Sequence, residues 1–168
     1  VSATSGRFDG RVAVVTGAGA ADGIGMACAR GLVEEGAHVV LAATSDRVHD
    51  RAAELAAEGC SAEGRVCDLR DEAGVDALVS SLTVFGRIDV LVNNAGMTSV
   101  GAGVDAAELV EELTLVQWND TIARNLTTAF LVCRAVVPAM RAQGYGRIVN
   151  VASTTGPVSA FERAGAYA

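Results

Sequence analysis

Short apolar runs alternate along the chain with longer segments of helical periodicity. The apolar, β-branched runs predict buried strands at residues 11–17, 38–43, 63–68, 88–96 and 146–153. Apolar positions at helical spacing predict helices at residues 24–35, 48–59, 71–86 and 117–144, the last one bent or ended near Pro138. Residues 97–113 carry several glycines and acids and predict a loop or a short helix.

This pattern predicts a single α/β domain that spans residues 1–168. Strands that alternate with helices form right-handed crossovers, which place the strands parallel in one sheet with helices on both faces. A chain of 168 residues is long enough for one such domain with a substantial core, and short for two. Sheets of this kind bind ligands where the carboxyl ends of the strands meet, near the reversal in strand order.

Charge and composition exclude some classes of partner. The net charge of −7 argues against a nucleic-acid or anionic-membrane surface, and all thirteen basic residues are arginine. Cys28, Cys60, Cys67 and Cys133 form no CxxC pair and have no histidine at ligand spacing, so we expect reduced thiols in a cytoplasmic protein and no metal site. No apolar run reaches membrane-spanning length and the N-terminus lacks a secretory apolar segment, so we expect no membrane partner.

A glycine-rich loop, "TGAGAADGIG", follows the first predicted strand and precedes the first helix. Gly17 allows a sharp turn off the strand, while Gly23 and Gly25 remove Cβ atoms where a pyrophosphate approaches the backbone and where helix packs on strand. The positive end of the helix then faces the phosphates. Plain turns also use glycines, so the position of the loop is what favours phosphate binding.

This loop, together with "NNAG" at residues 93–96, resembles the classical branch of the short-chain dehydrogenase/reductase family. The resemblance runs from about residue 8 to residue 168 and looks most like the 3-oxoacyl-acyl-carrier-protein reductases. The usual family spacing is TGxxxGxG, and this loop is two residues longer, as in divergent enoyl reductases of the same superfamily. The resemblance implies a doubly wound parallel sheet (Rossmann fold) of at least five strands.

The same resemblance implies that the chain corresponds to about the first two thirds of a typical member. The C-terminal part would then be missing from the 168 residues, beginning before the lysine of the family's YxxxK motif, which is expected at position 171.

The family's cofactor is NADP or NAD, and the resemblance assigns its pyrophosphate to Gly17, Gly23, Ile24 and Gly25. An acid at the end of the second strand favours NAD, but this strand ends at Ala43.

Three residues after Ala43 favour NADP, because Thr44, Ser45 and Arg47 could surround its 2′-phosphate. The alternative, that Asp46 and Arg47 only cap and flank the next helix, stays open.

Two further segments are assigned to the cofactor by the resemblance. Asp68, with Leu69 beside it, would reach the adenine; alternatively, Asp68 and Asp71 only cap the following helix. In "NNAG", Asn94 would hold neighbouring strand ends together, and Ala95 and Gly96 would leave room for the cofactor's ribose. A simple turn does not explain this four-residue string at the end of a strand.

The catalytic residues implied by the resemblance are Asn125, Ser153 and Tyr167. An amide in the middle of a long helix is unfavourable unless it has a function, and in the family Asn125 would kink the helix and hold a proton-relaying water. Ser153 would hydrogen-bond the substrate oxygen; taken alone it is better explained as a strand-end cap, and its place beside Asn125 and Tyr167 favours the catalytic role. Tyr167, fourteen residues later in "AGAYA", would be the general acid/base, with an exposed tail tyrosine as the alternative.

The leading hypothesis is an NAD(P)-dependent oxidoreductase that transfers hydride between nicotinamide and a small carbonyl or alcohol substrate. The complete protein would be a homo-oligomer, a tetramer or a dimer. Two other classes stay open: a non-catalytic dinucleotide-binding module, and an inactive fragment without the catalytic lysine.

Overall fold

The computed structural model describes residues 6–96 and 109–154, together with Val158 and Ala166. These residues contain a five-stranded sheet in which every pair of neighbouring strands is parallel. The strand order is β3-β2-β1-β4-β5. The strands are β1 Val12–Thr16, β2 His38–Ala43, β3 Ala62–Val66, β4 Val90–Asn93 and β5 Arg147–Asn150. The predicted doubly wound fold is therefore confirmed, although four of the five strands are shorter than predicted.

The helices follow the predicted order with two internal differences. They are α1 Ile24–Glu34, α2 Arg47–Ala57, α3 Glu72–Ser81, α4 Leu115–Ile122 and α5 Thr128–Ala142. A 3₁₀ turn, Leu82–Phe85, ends the segment predicted as one helix over 71–86, and Gly86 closes it at a φ of 67°. Of the stretch predicted as loop or short helix, residues 97–108 lie outside the described residues, and 109–112 form a turn.

The long C-terminal helix departs from its prediction in the position of its irregularity. It does not end at Pro138, which lies inside α5. Instead, a π-helical segment, Ala123–Thr127, joins α4 to α5. Proline is tolerated here because its position is exposed, where water can bond to the carbonyl that lacks an amide partner.

Alternating strand residues build one core on each face of the sheet. On one face Ala13, Val15, Val39 and Leu41 pack against α1 and α2. On the other face lie Val14, Val40 and Leu91, which pack against α3 and α5 together with Leu131, Val132 and Val136. The helices therefore cover both faces, which is why the strand runs are apolar at nearly every position.

The helical stretch Leu115–Ala142 is long and apolar enough to cross a membrane, judged by length and composition alone. By this criterion, the expectation that no apolar run reaches membrane-spanning length is wrong. The inner face of the stretch nevertheless belongs to the core, because Leu131, Val132, Val136 and Met140 are buried against the sheet. Four charged residues interrupt the stretch. One face of α5 therefore packs on the sheet, whereas α4 contains no buried residue.

The amino ends of β1 and β4 are joined through a buried aspartate. Asp89 is 0% exposed and accepts hydrogen bonds from Arg87 Nε at 2.6 Å, Arg11 at 2.8 Å and the Val12 amide at 3.0 Å. Burial alone would raise the pKa of Asp89, but these bonds outweigh it and lower the pKa to about 2. The guanidinium carbon of Arg11 lies over the Tyr145 ring, 4.2 Å from the ring centroid. The amino edge is thus fastened by ion pairs and a cation–π contact.

Candidate functional site

The strand order reverses between β1 and β4. From β1 the chain moves outward to β2 and β3, and then returns to place β4 on the other side of β1. The carboxyl ends of β1 and β4 therefore lie side by side, with the glycine loop following one and "NNAG" following the other. This is the crevice in which open α/β sheets bind their ligands.

Two glycines allow the loop and "NNAG" to touch. A Cβ on Gly17 would lie 2.8 Å from the Ala95 Cα, and Gly17 has a φ of 70°. A Cβ on Gly25 would lie 2.6 Å from the Asn94 Nδ2 and 2.8 Å from the Gly17 carbonyl oxygen. Such distances are too short for any side chain, so both positions require glycine. Gly23 is less restricted, since its nearest neighbour would be the Ala20 Cβ at 3.3 Å.

The contact is fastened by a residue that the sequence analysis missed. Thr16 is 1% exposed, and its hydroxyl accepts hydrogen bonds from the Asn94 and Ala95 amides, both at 3.0 Å. The Asn94 side chain donates in return to the carbonyls of Thr16 at 3.0 Å and Gly17 at 3.2 Å. The sequence signal that could have identified Thr16 is a threonine at the end of an otherwise apolar strand, directly before a glycine.

The neighbouring asparagine makes a second link along the same edge. Asn93 is 5% exposed, and its Nδ2 donates to Asn150 Oδ1 at 2.8 Å and lies 3.1 Å from the Cys133 sulfur. Asn93 and Asn150 are register partners, so this bond joins the carboxyl ends of β4 and β5.

The N-terminus of α1 faces the same crevice. The helix begins at Ile24, which is 63% exposed, and Gly23 is its N-cap. The first turn contains no acidic residue and no side-chain cap hydrogen bond. Its amide groups and the positive end of the helix are therefore available to an anion.

The residues predicted to select the cofactor lie at the carboxyl end of β2. Thr44 and Arg47 are exposed and Ser45 is half-buried, and Arg47 Nε donates to the Ser45 hydroxyl at 3.3 Å. Asp46 is the N-cap of α2 but makes no side-chain cap hydrogen bond. Asp46 and Arg47 thus lie at the start of α2, as the alternative expects, although the Asp46 carboxylate does not form the cap, and the alternative stays open.

Asp68 and Leu69 differ in what they present to the crevice. The Asp68 carboxylate is exposed and accepts from the Arg70 amide at 3.0 Å and from its guanidinium at 2.7 Å, and these bonds lower the pKa of Asp68. Asp71 alone caps α3, accepting from the Ala73 and Gly74 amides, so the alternative of a shared cap is wrong. Leu69 is 5% exposed with its side chain in the core, so only its backbone could contact a ligand.

Gly96 and Asn125 meet although they lie far apart in the chain. Asn125 is in the π-helical segment, and its Oδ1 lies 2.8 Å from the position that a Cβ on Gly96 would occupy. The Asn125 Nδ2 donates to the Thr121 carbonyl at 3.0 Å. Of the three predicted catalytic residues, Asn125 is thereby placed at the end of β4, next to "NNAG".

The remaining two catalytic candidates are described to different extents. Ser153 is half-buried and lies three residues after β5, whose pairing with β4 continues through the Val151 amide and the Asn93 carbonyl. It therefore lies past the carboxyl end of β5, at the same edge as the crevice. The predicted strand over 146–153 was too long, because β5 ends at Asn150. Tyr167 lies outside the described residues.

Comparison with known proteins gives the same family as the sequence motifs. The family model described as short chain dehydrogenase matches residues 11–168. A 3-oxoacyl-[acyl-carrier-protein] reductase of Salmonella typhimurium is 34% identical over 150 residues, which are 89% of this chain and 57% of that protein.

Two solved structures share the fold closely. The crystal structure of an F189W actinorhodin polyketide ketoreductase with NADPH has a TM-score of 0.83 and 38% identity, covering 94% of this chain and 58% of that chain. The structure of an NAD⁺-bound xylitol dehydrogenase has a TM-score of 0.85 and 36% identity, covering 96% and 59%. The chain spans little more than half the length of the relative and the structures named here. With a family match over nearly its whole length, this chain belongs to the short-chain dehydrogenase family.

Proposed function

We propose that the whole protein containing this chain is an NAD(P)-dependent oxidoreductase that acts on a carbonyl or alcohol carbon. The observation that carries this proposal is the contact of Gly17 and Gly25 with Asn94 at the strand-order reversal. It brings "NNAG" against the glycine loop beside the uncapped N-terminus of α1. A binding site for a dinucleotide needs this combination of close backbone approach and free amide donors.

The crevice has donors suited to each part of a dinucleotide. The amides of the α1 first turn, from Ile24 and Gly25, would hold the pyrophosphate. The ionised Asp68 carboxylate would accept from the adenine amino group. Ala95 and Gly96 present no side chain beyond a methyl group, which leaves space for a ribose beside Asn125.

NADP is the favoured form of the cofactor. β2 ends at Ala43 without an acid, and the Ser45 hydroxyl and Arg47 guanidinium lie within hydrogen-bond distance of each other. A hydroxyl and a guanidinium together suit a phosphate, since both can donate to its oxygens. The related polyketide ketoreductase structure holds NADPH, which supports this choice, while the xylitol dehydrogenase holds NAD⁺.

The catalytic roles follow the three predicted side chains. When bound, the nicotinamide would supply or accept a hydride. Tyr167 would donate the matching proton to the substrate oxygen, or remove it; a phenol with a pKa near 10 needs its anion stabilised to do so at neutral pH. Ser153 would orient the same oxygen by a hydrogen bond. Asn125 would hold a water that returns protons to Tyr167, and its place beside Gly96 supports this role.

The proposed substrate class is a 3-oxoacyl thioester reduced at its ketone. The similar proteins include a 3-oxoacyl-[acyl-carrier-protein] reductase and a polyketide ketoreductase, and both names describe reduction of a ketone in an acyl chain. The likeness to a xylitol dehydrogenase supports a polyol as the competing class.

Residues 1–168 would form one dinucleotide-binding domain of a cytoplasmic homo-oligomer, a dimer or a tetramer. The exposed side of α4, the π-helical segment and α5 supports self-association, because Trp118, Leu126 and Phe130 are 42%, 62% and 56% exposed. Large apolar side chains grouped on one helix face are typical of protein interfaces. No nucleic-acid partner and no membrane partner are part of the proposal.

The test is a titration of the chain with NADPH, comparing two glycine substitutions in α1. Gly25→Ala places a methyl group against Asn94 and Gly17 and should weaken binding at least about tenfold. Gly31→Ala is the matched control, since nothing lies within 4 Å of its Cβ, and it should bind as the wild type does. Equal NADPH affinity in both variants would contradict the proposed site.

A turnover assay on the full-length protein then separates an oxidoreductase from a binding module. NADPH oxidation is followed with the N-acetylcysteamine thioester of 3-oxobutanoate and with xylulose. Tyr167→Phe should abolish turnover while leaving NADPH affinity intact. NADPH binding without turnover of either compound would favour the non-catalytic module.

A further inference from the structure

The π-helical segment Ala123–Thr127 breaks the hydrogen-bond pattern of the long helix at one identifiable carbonyl. In an α-helix each amide donates to the carbonyl four residues earlier. The Thr128 amide instead donates to the Ala123 carbonyl, five residues earlier. The Arg124 carbonyl therefore loses the amide that would bond to it in a regular helix.

The side chain of the same residue replaces the lost donor. The Thr128 hydroxyl donates to the Arg124 carbonyl at 2.9 Å. Thr128 is 5% exposed and Arg124 is half-buried, so the bond between them is partly shielded from water. At the other end of the segment, the Asn125 side chain donates to the Thr121 carbonyl at 3.0 Å. The π-helical segment is thus held at both ends by bonds from side chain to backbone.

The register of this segment decides where Asn125 points. One additional residue in a helix rotates all following positions by about 100° relative to the preceding ones. With the π-helical register, α5 buries Leu131 and Val136 against the sheet while Asn125 approaches Gly96. A regular helix could not keep both contacts, because one set would rotate away from the sheet.

We propose that Thr128 is a positioning residue that fixes the π-helical register and thereby holds Asn125 against Gly96. The catalytic consequence rests on the proposed function, in which Asn125 holds a water that relays protons. Thr128 itself touches neither cofactor nor substrate in this scheme. Its effect on turnover passes entirely through Asn125.

Three substitutions test this. Thr128→Val keeps the shape of the side chain and removes only the hydroxyl, whereas Thr128→Ser keeps the hydroxyl. Thr83→Val is the matched control, because the Thr83 hydroxyl also donates to a backbone carbonyl, that of Ser80 at 2.8 Å, but in the 3₁₀ turn after α3. Each variant is compared by amide hydrogen exchange over residues 123–128 in the 168-residue chain. NADPH oxidation with the 3-oxobutanoyl thioester is measured in the full-length protein.

We expect Thr128→Val to accelerate exchange over residues 123–128 by about tenfold, as the loss of one buried hydrogen bond implies. Thr128→Ser and Thr83→Val should leave these amides within about twofold of the wild type. In turnover, Thr128→Val should lower kcat by about tenfold with unchanged NADPH affinity, and should cause no further loss in a protein that already carries Asn125→Ala.

Two results would overturn the proposal. One is unchanged exchange over residues 123–128 in Thr128→Val. The other is an equal loss of kcat from Thr128→Val with and without Asn125→Ala, which would show that Thr128 acts independently of Asn125. If Asn125→Ala alone turns over normally while NADPH binds, the role proposed for Asn125 is wrong, and the exchange result alone decides whether Thr128 holds the register.

Discussion

Replacing Thr16 with valine should weaken the link between the glycine loop and "NNAG" without changing the volume of the core. The Thr16 hydroxyl accepts from two amides at 3.0 Å, those of Asn94 and Ala95, and donates more weakly to the Val92 carbonyl at 3.3 Å. Valine fills the same space but accepts no hydrogen bond. The substitution therefore leaves two amide donors without an acceptor and creates no cavity.

The expected loss of unfolding free energy can be worked from these bonds. A buried donor that loses its acceptor costs about 1–3 kcal/mol. Asn94 and Ala95 are only half-buried, so water can partly replace the hydroxyl, and we expect about 2 kcal/mol for both amides together. Thr16→Ser is the control: it keeps the hydroxyl and loses one methyl group, which costs about 1 kcal/mol.

The assay is equilibrium urea unfolding of the wild type and both variants, followed by NADPH titration of each. Thr16→Val should be the less stable variant and should bind NADPH about tenfold more weakly, because "NNAG" is then held against Gly17 by the Asn94 side chain without the two bonds to the hydroxyl. Thr16→Ser should bind within about twofold of the wild type. If valine and serine give equal stability and equal affinity, the hydroxyl does not hold the two segments together.

Three further outcomes are expected. Arg47→Ala should weaken NADPH binding by about tenfold and leave NADH binding unchanged, as measured by fluorescence titration; equal losses would remove Arg47 as the selecting residue. The free energy of unfolding should fall by about 2 kcal/mol as the pH drops from 4 to 2, because the pKa of Asp89 is lowered to about 2 in the folded chain. Acid unfolding curves measure this fall, and Asp89→Asn should remove it. Phe130→Glu should shift the full-length protein to a smaller species in light scattering, and an unchanged mass would show that this helix face is not an interface.

The elements that the sequence predicted best are those fixed by burial on two faces. β2 has the predicted bounds, His38–Ala43, because every residue after His38 is buried and the exposed Thr44 follows Ala43. α1 begins at Ile24 as predicted, directly after its N-cap Gly23, whose backbone is extended rather than helical. Apolar pattern and glycine position carry this information directly.

The π-helical segment could not be predicted in the same way. Apolar periodicity indicates which face of a helix is buried, but it does not reveal a single inserted residue when the helix continues on both sides of it. Pro138 gave the stronger local signal for an interruption, yet it lies inside α5. In our proposal the irregularity is held by the bond from the Thr128 hydroxyl to the Arg124 carbonyl, and threonines make such local bonds in regular helices too, so the residue type does not announce it.

The amino and carboxyl ends of the strands differ in whether their polar groups are already hydrogen-bonded to each other. At the amino edge, the Asp89 carboxylate is fully buried and bonded to Arg87, Arg11 and the Val12 amide, so this cluster has little capacity left for a ligand. At the carboxyl edge, the amides of the α1 first turn have no side-chain cap, and Arg47 is exposed. Neutralising Asp89 should therefore lower stability and leave NADPH affinity unchanged, whereas Thr16→Val should lower both. A loss of NADPH affinity in Asp89→Asn comparable to that in Thr16→Val would mean that the two edges are not independent, and that the fold rather than the crevice limits binding.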